Sequence, residues 1–312
     1  MKKNHTRLLI LFLITLIIIS GCSDRVEPDN GKLKVYTSFY PIYDFTSKIV
    51  GDRLEVYNMV ASGIEPHDWE PSASDIVNLE NADIFIYNGA GMEHWVEGVL
   101  PTLENKDLLV IEVSQGIELL TDDHNHNDED EHNHGHDHGD YDAHVWTDPL
   151  NVKIIMDNIK NGLNQIDPDS KDFYQDNYKR YSKELDILHN EFEASLSTLP
   201  NKDIVVSHKA FSYMCQAYGL NQIAIDGLYP DSEPNPGRMA EIIDFVKDNK
   251  IKVIFFEELA SPKIANAIAL ETGAVVDVLN PLESLSDEEI QNGDDYFSVM
   301  RKNLEALERA LK

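Results

Sequence analysis

Only two of the 312 residues are cysteine, Cys22 and Cys215. At most one pair could form, so no disulfide framework holds this fold and its stability has to come from a packed core. No apolar run approaches the roughly 20 residues that a membrane-crossing helix needs. The most apolar stretch, Leu8 to Ile19, is short and is interrupted by Thr15. Basic residues are scarce as well: 26 Lys and Arg stand against 56 Asp and Glu, for a formal net charge of −30. Such a chain is repelled by phosphate, which excludes nucleic acid as a partner and disfavours flat adsorption on anionic lipid. Outside residues 122–140, histidine is also sparse, with only His5, His67, His94, His144, His189 and His208, so each one carries information.

The amino terminus carries Lys2, Lys3 and Arg7 ahead of the Leu8–Ile19 stretch, and residues 1–21 read as an export signal. Ile19-Ser20-Gly21-Cys22 resembles the bacterial lipobox, whose cysteine is lipidated and becomes the first mature residue. The alternative is a plain secretory signal with an incidental cysteine. Two or more acyl chains on Cys22 give stable anchoring. On that reading residues 22–32, polar and containing Pro28, are a tether, and the protein works on the extracytoplasmic face of the cell membrane. With Cys22 committed to lipid, Cys215 has no partner within the chain.

Beyond the tether, strands and helices alternate. Leu33–Phe39, Leu54–Val60, Asp83–Tyr87 and Leu108–Val113 are β-rich, with helical stretches near 41–50, 73–81 and 92–104. A second series has strands at Asp203–Val206, Gln222–Ile225, Val253–Phe256 and Val275–Leu279, with helices near 209–218, 237–249, 262–272 and 293–311. This alternation predicts an α/β fold of two lobes, each a parallel sheet flanked by helices. Between the two series Tyr174, Tyr178, Tyr181, Leu185, Leu188 and Phe192 recur at spacings of four and three, which marks one face of a helix. Asp167, Pro168 and Asp169 start it and Pro200 stops it. The expected organisation is therefore an N-terminal lobe over 33–168, a rigid linking helix over 169–198 and a C-terminal lobe over 199–312. A local helical hairpin or a dimer seam is the alternative for the linking helix, and a monomer is expected.

Residues 122–140 hold six histidines among eight carboxylates and no apolar side chain. The tract has nothing to bury and stays a hydrated loop, and its imidazoles and carboxylates are the ligands that suit first-row divalent metals. His124, His126, His132, His134, His136 and His138 are its candidate metal-collecting residues. Three further histidines stand at equivalent places, each following a strand. His67 lies in Glu65-Pro-His-Asp-Trp-Glu-Pro71 ahead of a capping box at Ser72–Asp75. His144 precedes Asp148-Pro149, a helix cap with proline at the first helical position. His208 closes the strand from Asp203. Loops at the carboxyl ends of parallel strands are where open α/β sheets bind ligands. A closed zinc site needs a fourth ligand. Glu283, in the loop after the last strand, is the first choice, Asp277 inside that strand the second and Glu65 the third. His94 and His189 fall within expected helices and read as structural. No His-Glu-x-x-His pair and no paired acid are present to make a zinc hydrolase.

Together, Glu65–Ser72, the histidine-rich tract, Asp142–Pro149, Val206–Phe211, Phe255–Lys263, Glu271–Ala274 and Leu279–Glu283 resemble the cluster A-I metal-binding proteins of bacterial ABC importers, and among them the zinc-specific lipoproteins. The resemblance covers Lys34 to Lys312. It implies two α/β lobes joined by a rigid helix, a metal ion between them and delivery of that ion to a membrane permease. It also implies His67, His144, His208 and Glu283 as the Zn2+ ligands. Manganese members of the family carry a carboxylate where this chain has His208, which favours zinc; a manganese receptor and a zinc-buffering adhesin are the alternatives. Many zinc members have a disulfide in the carboxyl lobe, and this chain departs from them there. Some carry a further zinc-scavenging domain, which is not expected here.

Overall fold

The computed structural model describes residues 31–121, 141–227, 234–257 and 262–312. The expected signal segment, Cys22 and the histidine-rich tract lie outside the described residues. The first lobe comprises β1 (Lys34–Thr37), α1 (Tyr40–Val50), β2 (Glu55–Asn58), α2 (Ala73–Glu80), β3 (Ile84–Tyr87), the short α3 (Val96–Val99), β4 (Leu109–Glu112) and α4 (Pro149–Ile166). Next comes α5 (Lys171–Leu196), the longest described helix. The second lobe follows with β5 (Asp203–Val206), α6 (Ser212–Tyr218), β6 (Asn221–Ala224), α7 (Pro236–Asp248), β7 (Val253–Phe256), α8 (Lys263–Thr272), β8 (Val275–Val278), α9 (Asp287–Gln291) and α10 (Tyr296–Leu311).

The sheets share one topology. The first has order β2-β1-β3-β4 and the second β6-β5-β7-β8, with every pairing parallel. In each, the chain leaves the first strand to one side and then returns to the other, which opens a switch point between β1 and β3 and between β5 and β7. Strand alternation sorts side chains into two layers. Ile204, Val206, Val253 and Phe255 enter the main core, whereas Val205 and Ile254 enter an outer cluster under α7 and α8. In the first lobe Ile84 and Ile86 face the main core, and Phe85 faces a satellite cluster with Leu79 and Trp95.

The main core is continuous through both lobes because α5 runs along both. Tyr174, Leu185, Leu188 and Phe192 are fully buried in it, joined by Leu196, with Tyr178 and Tyr181 packed against its margin. Fully burying a Leu or Phe of this kind is worth about 1.5–3 kcal/mol, so this one stripe is a main fastening between the lobes. Asn177 of α5 donates to Ile49 O of α1 (2.9 Å), and Glu191 of α5 pairs with Arg301 of α10 (2.8 Å). On the main-core face of the first sheet's last strand, α4 comes so close that a Cβ on Gly162 would lie 2.2 Å from Ile111 Cδ1.

Three expectations need correction. Helix α5 starts at Lys171, because Pro168–Ser170 form a 3-10 turn whose Asp167 carboxylate accepts from Tyr174 Oη (2.5 Å). The helix expected over 92–104 shrinks to α3 and a 3-10 turn at Leu100–Thr102. Gly89, Ala90 and Gly91 all have positive φ, and Pro101 cannot donate to a continuing helix, so only four residues of α-helix fit between them. His94 consequently stands in an exposed turn rather than in a helix. Finally α9, opened by a capping box between Ser286 and Glu289, was not anticipated.

Candidate metal centre

Four loops at the carboxyl ends of strands deliver the candidate ligands. His67 follows β2, His144 follows β4, His208 follows β5 and Glu283 follows β8. Each loop has its own reason for its shape. The His67 turn is closed by Trp69 N donating to Pro66 O (3.3 Å) and by Glu65 Oε1 accepting from His67 N (3.2 Å), and the expected capping box of Ser72 and Asp75 opens α2 just beyond. The His144 turn ends where Asp148 caps α4, accepting from Leu150 N ahead of Pro149. Asn88 Nδ2, from the loop after β3, donates to Ala143 O (3.0 Å) and holds that turn from behind.

All four side chains are buried, at 5% exposure or less, and their ligand atoms converge. His144 Nε2 lies 3.2 Å from His67 Nε2 and 3.3 Å from His208 Nε2. Glu283 Oε1 lies 3.3 Å from His67 Nε2, 3.0 Å from His144 Nε2 and 3.1 Å from His208 Nε2. Zinc holds imidazole nitrogen and carboxylate oxygen at about 2.0–2.1 Å in a tetrahedron, whose edges are then about 3.3 Å. Five edges of the observed cluster match that length. Three imidazole nitrogens and one carboxylate oxygen at these separations could hold a metal ion.

Two carboxylates behind the cluster orient the imidazoles. His144 donates through Nδ1 to Asp142 Oδ1 (2.7 Å), and His208 donates through Nδ1 to Glu257 Oε1 (2.6 Å). Because a carboxylate only accepts, each bond puts the proton on Nδ1 and leaves Nε2 aimed inward as the donor to a metal. Glu257 follows β7, so its bond to His208 spans the switch point of the second sheet. Asp142 is itself tied in place, with its N–H donating to Leu120 O (2.8 Å) and its carbonyl accepting from Tyr213 Oη (2.8 Å). Asp142 and Glu257 fall within the sequence motifs Asp142–Pro149 and Phe255–Lys263, which by themselves assign neither a role. For Asp142 the signal was available, since a carboxylate two residues before a turn histidine can reach its Nδ1. For Glu257 it was not, because its neighbour depends on the pairing of β5 with β7.

Electrostatics set the protonation of the metal-free cluster. Burial opposes charge on His144, but the Asp142 carboxylate at Nδ1 and Glu283 at Nε2 outweigh it and raise the imidazole to about 9. His208 is likewise pushed well above the usual imidazole range, burial being overcome by Glu257 and Glu283. His67 goes the other way, since burial dominates and Glu283 only partly offsets it. Glu283, despite complete burial, is held well below the ordinary carboxylate range by the three imidazoles around it, His208 foremost. Protons on His144 and His208 therefore stand in for the cation.

The remaining candidates lie apart from the four. Asp277, the second choice for the carboxylate, sits in the middle of β8 and pairs with Arg309 of α10 at the surface (2.8 Å). A mid-strand side chain points into a sheet face, and only residues beyond the strand's carboxyl end reach the cluster. Glu65 borders the site without joining the converging atoms, and burial followed by the charge of Glu283 pushes its carboxyl up to about 8. His189 bonds Tyr218 Oη through Nδ1 (3.1 Å), as expected of a structural histidine.

A family model described as the zinc-uptake complex component A, periplasmic, matches residues 35–310. The zinc-binding lipoprotein AdcA of Streptococcus pneumoniae is 40% identical over 301 residues; these are 96% of this chain, which spans 60% of AdcA's length. The high-affinity zinc uptake system protein ZnuA of Bacillus subtilis is 38% identical over 308 residues, covering 96% of this chain and 97% of its own. The crystal structure of the Zn(II)-bound ZnuA-like domain of the pneumococcal AdcA superposes with a TM-score of 0.77 at 39% identity, over 90% of this chain and 99% of that domain. With the two-lobe fold matched to that domain and sequence identity sustained along nearly the whole chain, the protein belongs to the zinc-uptake complex component A family.

Proposed function

We propose that the protein is an extracytoplasmic receptor that binds one Zn2+ through His67, His144, His208 and Glu283 and delivers it to an ABC permease for uptake. The observation that carries this reading is the buried cluster of three Nε2 atoms and one carboxylate oxygen with separations of 3.0–3.3 Å. Three imidazoles and one carboxylate form a donor set suited to zinc, softer than the oxygen-rich sets that suit manganese. Zinc enters here as cargo, and the protein performs no reaction on it. A zinc hydrolase keeps one coordination position open for water, whereas four protein ligands fill the tetrahedron here. Metal analysis of the purified protein, followed by titration against a chelator, tests the assignment. One equivalent of tightly held zinc and no hydrolytic turnover are expected; absence of a tight site would refute it.

No helix among the described residues is long and apolar enough to cross a membrane. We assign membrane attachment to lipid on Cys22, with the receptor acting as a monomer. Cys22→Ala is expected to release the protein into the medium while zinc binding is unchanged, because anchor and cluster share no residues. Cell fractionation and a zinc titration read both halves; retention in the membrane fraction after a salt wash counts against the anchor.

The tract at 122–140 would act as an auxiliary collector. Its flanking residues Thr121 and Tyr141 pair as an antiparallel bridge, and Asp142 N donates to Leu120 O, so excising the tract joins ends that already meet. A tract without apolar side chains has no core to preorganise its imidazoles, which then lose conformational entropy when they chelate and bind less firmly than a preorganised cluster. Deleting 122–140 should abolish several weak sites and keep one tight site, as read by chelator competition. A deletion variant without the tight site would show that the tract supplies it.

A further inference from the structure

The loop that carries Glu283 is restrained at every other position. Asn280 exchanges two hydrogen bonds with the buried Asn303 of α10: its N–H donates to Asn303 Oδ1 (2.9 Å) and its carbonyl accepts from Asn303 Nδ2 (2.7 Å). The Asn280 side chain then accepts from Leu282 N (2.7 Å). Leu282 is buried in the core with φ of 64°, the left-handed region that a branched apolar residue rarely enters. On one flank Pro281 O accepts from Trp146 Nε1 of the first lobe (2.7 Å), and on the other Ser284 Oγ accepts from Gly63 N (2.9 Å), in the segment leading to His67. All three imidazole contacts of Glu283 are made by a single oxygen, Oε1.

We infer that Asn303 is a positioning residue that sets metal choice, because it fixes the 280–284 loop so that Glu283 offers one oxygen and the site stays four-coordinate. The inference deepens the zinc-receptor reading and rests on it. Zinc accepts a closed tetrahedral set, whereas manganese favours octahedral coordination rich in oxygen. A carboxylate free to swing could present both oxygens and leave room for water, and that raises the coordination number. The same restraint explains why the left-handed Leu282 is tolerated: Asn280 accepts from its N–H, Trp146 ties the preceding Pro281, and its side chain is held in the core.

The test compares Asn303→Asp, which keeps the acceptor for Asn280 N but loses the donor to Asn280 O, with Asn303→Ala, which loses both. Ser284→Ala, which releases the Gly63 tie, is the third variant. Zinc and manganese affinities are measured by competition, and the visible spectrum of the Co2+-loaded protein reads coordination number, since four-coordinate Co2+ absorbs far more strongly than five- or six-coordinate. The zinc-to-manganese affinity ratio should fall in Asn303→Asp by up to about tenfold, the lower end of the affinity losses that follow removal of a ligand's own hydrogen-bond partner, because Asn303 acts on Glu283 through the loop. It should fall further in Asn303→Ala, with the Co2+ band weakening in the same order. Equal weakening of both metals with an unchanged Co2+ spectrum would overturn the inference and reduce Asn303 to a support of the fold. If the Asn303 variants do not fold, Ser284→Ala decides, and an unchanged ratio there overturns the inference. Failure of the wild-type protein to hold zinc tightly would instead overturn the receptor reading itself.

Discussion

Zinc is expected to bind His208→Ala at least about 100-fold more weakly than the wild-type protein. Removing only a hydrogen-bond partner behind a ligand costs about 10–100-fold in metal affinity, and here the ligand itself is lost from a closed set of four. The damage extends backwards, because His208 is also the partner of Glu257, which is 4% exposed. Truncation leaves that carboxylate without its charge-assisted donor in a water-poor site. Chelator competition at constant pH measures the loss; a change under tenfold would remove His208 from the ligand set. Glu283→Ala should approach the same loss, since Glu283 Oε1 contacts all three imidazoles. Asp277→Ala should match wild type, because that carboxylate is engaged with Arg309 at the surface.

His208→Asp separates charge from geometry. On donor softness alone, two nitrogens and two carboxylates favour manganese over zinc. The structure adds Glu257 directly behind position 208, so a new carboxylate meets an old one, and like charges at that distance disfavour joint ionisation. The single variant should therefore weaken both metals, with manganese recovered only in the double variant His208→Asp, Glu257→Gln.

Much of the fold was legible because its signals are local. Asp203–Val206 and Val253–Phe256 stand where their β-branched runs placed them, and the stripe from Tyr174 to Phe192 is the buried face of α5. The three histidines could be grouped because parallel strands of an α/β sheet all present their carboxyl ends on one side. What stayed hidden depends on neighbours across the sequence. Strand order decides that Glu257 backs His208, and nothing in Val253–Phe256 encodes which strand lies beside it. Asp277 stays open as a second choice in the sequence because sequence gives the strand but not that α10 supplies Arg309 to pair with it. The helix expected over 92–104 is shortened for a local reason, since three consecutive positive-φ residues precede it and Pro101 interrupts it.

The pH dependence distinguishes a metal site held by perturbed imidazoles from one built of ordinary ones. Histidines near the unperturbed value of about 6.5 would be free of protons by pH 7.5, and zinc affinity would level off there. With His144 raised to about 9 and His208 raised well above the usual range, both keep a proton on the metal-facing side through neutral pH. Zinc has to displace both protons, so affinity should rise with pH above neutrality, by up to about tenfold per pH unit for each and up to about 100-fold per unit for the two together. Stability of the metal-free protein runs the opposite way. A raised imidazole contributes stability that is fully present below its unfolded value of about 6.5 and is lost as pH rises through the folded value of about 9. Between those limits the metal-free protein should melt at progressively lower temperature while the increment added by zinc grows. Thermal melts with and without zinc, together with calorimetric titrations in buffers of different ionisation enthalpy, read both trends and count the released protons. Release near two protons per zinc at pH 7.5 is the expected result. Release near zero, with a flat affinity above pH 7.5, would mean that the carboxylates behind His144 and His208 do not hold protons at the site.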